Sequence, residues 1–210
     1  MSMLKQRGTR RAAQKQAVRD KIVTATLALF QSKGFDKTTT RQIAKKAGVA
    51  EGTVFNHFET KEDIALYFFE REVDTAIAAV RGNRSLRKAP LEEKLFALIE
   101  AQLDVLAPYE KFIGAAFVQA LRPTSRIGFS VRALDLRNRY LAFVQELIDD
   151  SDSVPAGGVV TWVAPVVFWI YYMGILLYWL NDTSKGKQRT LALLDRSLKL
   201  GVGLLRKGSL

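Results

Sequence analysis

Basic, hydroxyl and amide side chains are concentrated between residues 38 and 61, and their types limit the chemistry of this segment. Arg41, Lys45 and Lys46 place positive charge within one short stretch, and His57 is the only histidine of the chain. Guanidinium, ammonium, hydroxyl and amide groups bind phosphate oxygens and the edges of nucleic-acid bases. This composition therefore indicates recognition of a polyanion rather than catalysis.

Other kinds of chemistry are excluded by residue types that the sequence lacks. The 210 residues contain no cysteine, which excludes disulfides, thiolate metal sites and cysteine nucleophiles. A single histidine is too few for a histidine-rich metal site, and no phosphate-binding loop or dinucleotide motif is present. We therefore expect no enzyme activity, no metal and no cofactor.

The positive charge is concentrated at the start of the chain. The formal net charge is +11, and the first 60 residues hold 12 of the 32 Lys and Arg but only 4 of the 21 Asp and Glu. Such a local excess favours nucleic acid or an anionic membrane as partner. Residues 1–15 are predicted to be a flexible basic arm. The basic residues from Lys5 to Arg19 then form either a solvated tail or a contact with the polyanion.

The elements that position the polar segment are predicted to be helices. Apolar residues recur at three- and four-residue steps from Val18 to Phe30, and Gly34 is typical of a helix C-terminus. Two short helices follow, separated by Gly48. A longer helix then runs from Lys61 to about residue 81.

The rest of the chain shows the same periodicity. Helices are expected near 90–107 and 109–121, then up to residue 150, through an uncharged run at 154–180, and finally from about residue 187. Loops are predicted around Pro123, at 151–158 and at 181–186. No segment alternates with the two-residue period of a strand, so the predicted fold is all-α with about nine helices.

Two short helices with a tight turn between them, in a basic segment, suggest a helix-turn-helix. Such motifs lay the second helix in the DNA major groove while the first crosses the backbone. Gly48 suits the turn because a positive φ angle is free of Cβ strain only in glycine.

The stretch from about Ile22 to Leu66 resembles the TetR family of one-component bacterial regulators. The matching residues are Ala25, Leu29-Phe30, Gly34-Phe35, Thr38-Thr39, Ile43-Ala44, Ala47-Gly48-Val49, Gly52-Thr53-Val54-Phe55, His57-Phe58 and Lys61-Glu62. The resemblance implies a three-helix helix-turn-helix DNA-binding domain at residues 16–62. It also implies an effector-binding and dimerisation domain at residues 63–210.

The resemblance also implies roles for individual residues. The expected base-reading residues are Arg41, Glu51, Gly52, Thr53 and Asn56. The expected phosphate contacts are Thr39, Thr40, Lys45, His57 and Lys61. Two positions depart from the family pattern. Phe55 replaces the usual tyrosine, so the hydroxyl contact with phosphate is lost and only the packing of the ring remains. Ala50 replaces a capping serine, which weakens the N-terminus of the second motif helix by roughly 0.5–2 kcal/mol.

Residues 154–180 contain no charged side chain and hold all three tryptophans. By length this run satisfies the criterion for a transmembrane helix. Its flanks oppose that interpretation, because acidic residues precede it and basic residues follow it, the reverse of the positive-inside rule for a cytoplasmic N-terminal half. The resemblance instead implies a homodimer formed through helices near 156–181 and 187–206. Membrane anchoring remains the alternative.

Aromatic residues of the C-terminal two thirds are candidate walls of an effector pocket, or simply fill the core. They are Phe112, Phe117, Phe129, Tyr140, Trp162, Trp169 and Tyr172. A pocket lined by such residues would bind an apolar or aromatic small molecule. The sequence thus predicts a cytoplasmic, ligand-responsive regulator, expected to be a repressor, that binds a near-palindromic DNA operator as a homodimer.

Overall fold

The computed structural model describes the backbone of residues 2–151 and 159–207, with side chains for residues 9–151 and 163–204. Within these ranges the chain forms ten α-helices, one of them a single turn, and no strand, which confirms the predicted all-α fold. The helices are α1 (Ser2–Lys33), α2 (Thr40–Ala47), α3 (Glu51–His57), α4 (Lys61–Gly82), α5 (Leu91–Leu106), α6 (Glu110–Ala120), α7 (Arg126–Phe129), α8 (Val131–Asp149), α9 (Val159–Asn181) and α10 (Gln188–Lys207).

The first helix is longer than the sequence suggests. Helix α1 begins at Ser2, so residues 2–15, which we predict to be a flexible arm, are helical. The segment Ala12–Ala17 consists of alanine, glutamine and lysine, which all have high helix propensity, and no proline interrupts it. Residues 17–33 continue the same helix with an apolar face, so the arm extends an existing helix and needs no new nucleation.

A single helical turn lies where the sequence predicts a loop. The hydroxyl of Ser125 accepts a hydrogen bond from the backbone N–H of Gly128 at 3.3 Å, which caps the short helix α7. The other predicted helix boundaries agree with the structure to within a few residues.

The chain divides into two compact units. The first contains the chain up to Phe69 together with Tyr109–Ala133, and the second contains Glu70–Pro108 and the chain from Leu134 onward. Helices α4 and α8 therefore contribute residues to both units. The predicted domains, 16–62 and 63–210, are contiguous segments, and Tyr109–Ala133 belongs to the second of them in that prediction.

The first unit has a core of apolar side chains from α1, α2, α3 and α6. Ile22, Ile43 and Val54 are completely buried, one from each of the first three helices. Phe30 of α1 stacks on Phe112 of α6, with ring centroids 4.8 Å apart. The amide oxygen of Gln31 also accepts a hydrogen bond from the backbone N–H of Phe112 at 2.9 Å. These contacts attach α6 to α1.

The second unit is built from the remainder of α4 with α5, α8, α9 and α10. A polar turn joins α9 to α10: Asp182 accepts hydrogen bonds from the backbone N–H of Ser184 and from both the N–H and the hydroxyl of Thr190, at 2.7–2.9 Å. The ammonium of Lys187 donates to the carbonyl oxygens of Trp179 and Asp182. Burial raises the pKa of Asp182, but these hydrogen bonds outweigh it and lower the pKa well below its ordinary value.

Candidate nucleic-acid interface and buried polar site

The first helix of the two-helix motif begins at a complete capping box. The hydroxyl of Thr39 accepts from the N–H of Gln42, and the amide oxygen of Gln42 accepts from the N–H of Thr39, both at 3.3 Å. This reciprocal pair satisfies two backbone donors that a helix N-terminus would otherwise leave without partners. The hydroxyl predicted to contact phosphate therefore has a structural role at the start of α2.

The turn between α2 and α3 has the conformation that the glycine predicts. Gly48 lies in the left-handed region, with φ 68° and ψ 35°, and the N–H of Val49 donates to the carbonyl of Ala44 at 3.1 Å. Residues with a Cβ are strained in this region. Gly48 thus sets the angle at which α3 leaves α2.

Helix α3 has one buried side and one exposed side. Val54 is completely buried, whereas Gly52, Phe55 and Asn56 are exposed and Thr53 is half-buried. The N-cap residue Ala50 makes no side-chain hydrogen bond, as its alanine side chain predicts. Helix α3 therefore presents most of the predicted base-reading residues on a single outward face.

Glu51, at the start of α3, is held by a predicted phosphate-binding residue of α2. The hydroxyl of Thr40 donates to Glu51 Oε1 at 3.0 Å. This hydrogen bond fixes the carboxylate and joins α2 to α3. The resemblance implies a separate DNA contact for each of these two side chains, whereas in the structure they hydrogen-bond to each other.

Exposed positive charge next to this face comes from α2. Arg41, Lys45 and Lys46 are all exposed, and no ion pair joins them to another side chain in the part of the chain that the structure describes. Their charges are therefore available to a polyanion.

Lys61, which is predicted to contact phosphate, contacts backbone carbonyl groups in the structure. Its ammonium donates to the carbonyl oxygens of Phe35, Asp36 and Thr38, at 2.8–3.4 Å, and lies 4.6 Å from the ring centroid of Phe35. An ammonium has three N–H donors, and three backbone carbonyl oxygens lie within hydrogen-bonding distance of this one. Lys61 closes the connection between α1 and α2.

His57 is a half-buried residue at the end of α3. Burial and the nearby charges of Arg19 and Lys15 lower the pKa of His57 below its ordinary value of 6.5, so the imidazole is neutral at pH 7. Its Nδ1 atom is buried and has no hydrogen-bond partner among the described atoms. The lowered pKa therefore opposes a positive charge on His57 in the protein without DNA.

The predicted pocket residues belong to both units. Phe112 lies in the aromatic core of the first unit, Phe117 is half-buried there, and Phe129 is 54% exposed. Tyr140, Trp169 and Tyr172 belong to the second unit, where their ring centroids lie within 6 Å of one another. The side chain of Trp162 lies outside those that the structure describes.

A buried polar group, which the sequence analysis missed, lies beside these three rings. The hydroxyl of Tyr140 donates to Gln102 Oε1 at 2.7 Å, and the side chain of Gln102 hydrogen-bonds to the carboxyl group of Glu72. All three side chains are buried, and Glu72 Oε1 has no partner among the atoms described. Glu72 occupies an apolar position of α4, four residues from both Phe68 and Ala76. A carboxyl group at a four-residue step between two apolar residues is the feature of the sequence that indicates a buried Glu72.

Burial controls the protonation of this group. It raises the pKa of Glu72 to about 8, even though the hydrogen bond from Gln102 acts in the opposite direction. Burial also raises the pKa of Tyr140 and Tyr172, and the nearby Glu72 adds to both shifts. At pH 7 Glu72 is therefore mostly a neutral acid, as expected for a carboxyl group with no cation beside it.

An apolar cleft of about 240 Å³ lies between α5, α8, α9 and α10 of the second unit. Leu91, Ile148, Phe168 and Leu198 form part of its wall. None of the six predicted pocket aromatics whose side chains the structure describes lines this cleft. Its polar groups include the hydroxyls of Tyr171 and Ser197, which hydrogen-bond to each other at 2.7 Å.

Helices α9 and α10 also carry a set of exposed apolar side chains, which we call the apolar face. On α9 and α10 these are Val163, Val166, Val167, Ile170, Leu177, Tyr178, Leu193, Leu200 and Leu204. Ile170 and Leu200 are 66% and 65% exposed. The segment Val163–Asn181 is long and apolar enough to cross a membrane, and a third of it is buried in the structure. Such a surface is typical of a contact with a protein or a lipid partner.

Family models match most of the chain. Residues 22–68 match the model described as bacterial regulatory proteins of the tetR family, and residues 94–210 match a tetracyclin repressor-like C-terminal domain.

One curated relative is the fatty acid metabolism regulator protein of Bacillus subtilis (strain 168). It is 31% identical over 86 residues, which cover 41% of this chain and 44% of the relative. The chain thus spans less than half of the length of this relative.

Solved structures share the fold over nearly the whole chain. FadR from Bacillus subtilis in complex with stearoyl-CoA has 22% identity and a TM-score of 0.63, and the match covers 90% of this chain and 97% of that one. Thermus thermophilus FadR, a TetR-family repressor in complex with lauroyl-CoA, has 22% identity and a TM-score of 0.62, and the match covers 86% and 92%.

Replacing Glu72 with Gln is expected to remove a pH dependence of stability. Folded Glu72 keeps its proton up to about pH 8, whereas the unfolded chain releases it near its ordinary pKa of 4.5. Between these values the folded state binds the additional proton, so the free energy of unfolding falls as pH rises, by at most about 1.4 kcal/mol per pH unit. We expect urea denaturation to show wild-type protein losing stability relative to E72Q as the pH rises through this window.

The matched control is Glu93→Gln, which neutralises an exposed carboxyl group on α5. Its denaturation midpoint should follow the wild-type pH dependence. If E72Q and wild type remained parallel across the window, Glu72 would not be the buried acid described above.

Proposed function

This chain belongs to the TetR family of bacterial transcriptional regulators, and we propose that it is a cytoplasmic repressor that binds near-palindromic DNA as a homodimer. The observation that carries the proposal is the outward face of α3, which lies next to the exposed basic residues of α2 and is oriented by the Gly48 turn. In a helix-turn-helix the second helix enters the major groove, and a dimer places two such helices about one helical turn of DNA apart.

Within this interface we assign different roles to the exposed and the internally bonded groups. Arg41, Gly52 and Asn56 are exposed and are assigned to base edges, with Thr53 beside them. Arginine pairs bidentately with guanine, and asparagine with adenine. Lys45 and His57 are assigned to phosphate.

The remaining predicted contacts help to position the interface. Lys61 closes the connection between α1 and α2, and Thr39 caps α2. Thr40 holds one oxygen of Glu51, which leaves the other oxygen to accept a hydrogen bond from cytosine N4. We therefore expect substitutions of Thr39 or Lys61 to act on DNA binding through the shape of the motif.

Arg41→Ala is expected to weaken sequence-specific binding by roughly 1–3 kcal/mol, as loss of a bidentate base contact does. Fluorescence anisotropy would compare a duplex selected by the wild-type protein from a random pool with an unselected duplex. The control is Lys33→Ala, which removes one exposed positive charge in the last turn of α1. An equal loss of affinity on both duplexes would assign Arg41 to phosphate rather than to a base.

The apolar face of α9 and α10 supports the homodimer. Large exposed apolar surfaces are unfavourable in water, and aromatic and aliphatic side chains are typical of the centre of a subunit interface. A second copy of the chain would cover the same face in both subunits. The flanking charges oppose the alternative of a membrane span. If α9 crossed a membrane with the DNA-binding half in the cytoplasm, Lys185 and Lys187 would lie on the opposite side, against the positive-inside rule.

Ile170→Glu is expected to prevent dimerisation, because it would place a charge on each subunit within the apolar interface. Sedimentation velocity should show a wild-type dimer and a monomeric variant, and the variant should lose DNA affinity. Val131→Glu is the control, since Val131 is 84% exposed but lies outside the apolar face. Wild-type protein found in the membrane fraction, and released only by detergent, would instead support the membrane-anchored alternative.

We propose that the effector is an acyl chain carried as a thioester of coenzyme A. Two FadR structures with the same fold are complexes with stearoyl-CoA and lauroyl-CoA, and the second unit here contains an apolar cleft. Helix α4 contributes residues to both units and is the continuous element through which binding would act on DNA. By linkage, effector and operator must weaken each other's binding equally.

Lauroyl-CoA is expected to release the protein from its selected duplex, whereas coenzyme A alone should not. Gly201→Leu tests the site, because Gly201 lines the cleft and an added Cβ meets no atom within 4 Å. This variant should stay bound to DNA at lauroyl-CoA concentrations that release the wild-type protein. Gly203→Leu is the control, since Gly203 has the same free space but does not line the cleft.

Sedimentation of both glycine variants would verify that they remain dimers. Unchanged release of Gly201→Leu by lauroyl-CoA would exclude this cleft as the acyl site. Failure of lauroyl-CoA to release wild-type protein would contradict the proposed class of effector.

A further inference from the structure

Three basic side chains form a line along α1, which we call the basic stripe: Arg11, Lys15 and Arg19. They are four residues apart, and in an α-helix this spacing places side chains on one face, one turn above another. The line from Arg11 to Arg19 is about 12 Å long at the rise of an α-helix. In the sequence Arg7 continues the same spacing toward the N-terminus.

The stripe lacks the acidic partners that usually accompany basic residues on a helix. The first 19 residues of the chain contain no Asp or Glu. Arg11 and Lys15 are exposed, and neither forms an ion pair within the described part of the structure. Like charges at i and i+4 destabilise a helix, so the stripe opposes the helix that carries it. A polyanion bound along α1 would remove this repulsion.

One end of the stripe is attached next to the recognition helix α3. The guanidinium of Arg19 lies over the rings of Phe58 and Tyr67, at 5.2 and 4.7 Å from their centroids. Phe58 directly follows His57, the last residue of α3, and the charges of Arg19 and Lys15 both act on His57. Gln16, on the adjacent face of α1, donates to the hydroxyl of Tyr67 at 2.7 Å. The stripe therefore starts beside the C-terminal end of α3, in the same compact unit.

We propose that the basic stripe binds the phosphate backbone of DNA beyond the groove that α3 enters. This inference rests on the proposed DNA-binding function and adds a second contact surface, formed by a helix that precedes the motif. Phosphate contacts carry no sequence information and release counterions, so the contribution of the stripe is independent of sequence and dependent on salt. A solvated tail would need neither the helical conformation of α1 nor the contacts of Arg19 with the rings of Phe58 and Tyr67.

The double variant Arg11→Ala/Lys15→Ala tests the stripe without disturbing that attachment. Alanine has the highest helix propensity, so α1 should be retained, which circular dichroism can verify. The control Arg84→Ala/Lys88→Ala removes the same charge from exposed positions of the second unit. Because phosphate binding does not depend on sequence, the probe is a random-sequence duplex of roughly 40 base pairs.

The measurement is the dependence of the binding constant on salt, by fluorescence anisotropy between about 50 and 200 mM KCl. Each phosphate contact contributes about 0.9 to the slope of log K against log salt concentration, so the stripe variant should lose about 1.8 per bound subunit. The control should keep the wild-type slope.

Equal slopes for the stripe variant and the control would overturn the inference, because the stripe would then act only through net charge. An unchanged slope combined with lost binding to phosphatidylserine vesicles would assign the stripe to a membrane instead. Failure of wild-type protein to bind any duplex would contradict the proposed function itself. If the wild-type protein bound DNA but the stripe variant and the control had the same salt slope, only this inference would be contradicted.

Discussion

The complete burial of Ile43 on α2 and Val54 on α3 is the constraint on which the DNA-facing surface depends. Because Val54 must face the core of the first unit, the side chains on the opposite side of α3 must face solvent. Gly48 permits this arrangement, since its left-handed conformation turns the chain between the two buried positions. The proposed base-reading residues are therefore placed by apolar side chains on the opposite side of the helix.

Polar groups around the motif divide into those that build it and those that remain free. The capping box at Thr39, the hydrogen bond from Thr40 to Glu51 and the three carbonyl contacts of Lys61 all hold short elements in place. A seven-residue helix has few internal hydrogen bonds, so α3 depends on such contacts for its position. The exposed charges of α2, and those of Arg11 and Lys15 in the basic stripe, form no ion pair with another described side chain.

The second unit has features that are unfavourable for an isolated subunit. The apolar face of α9 and α10 exposes large side chains to water, and Glu72 buries a carboxyl oxygen that no described group satisfies. Each feature has a free-energy cost that the fold alone does not offset. The proposed partner subunit on the apolar face would offset the first cost. A change of protonation reduces the second, because burial keeps Glu72 neutral at pH 7.

The sequence by itself determined the Gly48 turn and the helices other than α7 and the first part of α1, because these depend on residues only a few positions apart. It did not determine that α6 packs on α1 through Phe112 and Gln31, which joins two distant segments into one unit. It also did not determine that Lys61 is used by backbone carbonyls, or that Glu72 meets Gln102 and Tyr140. Periodicity identifies which face of a helix is buried, but not which distant side chain it meets. Only the tertiary structure decides those partners, since they are set by packing between helices far apart in the chain.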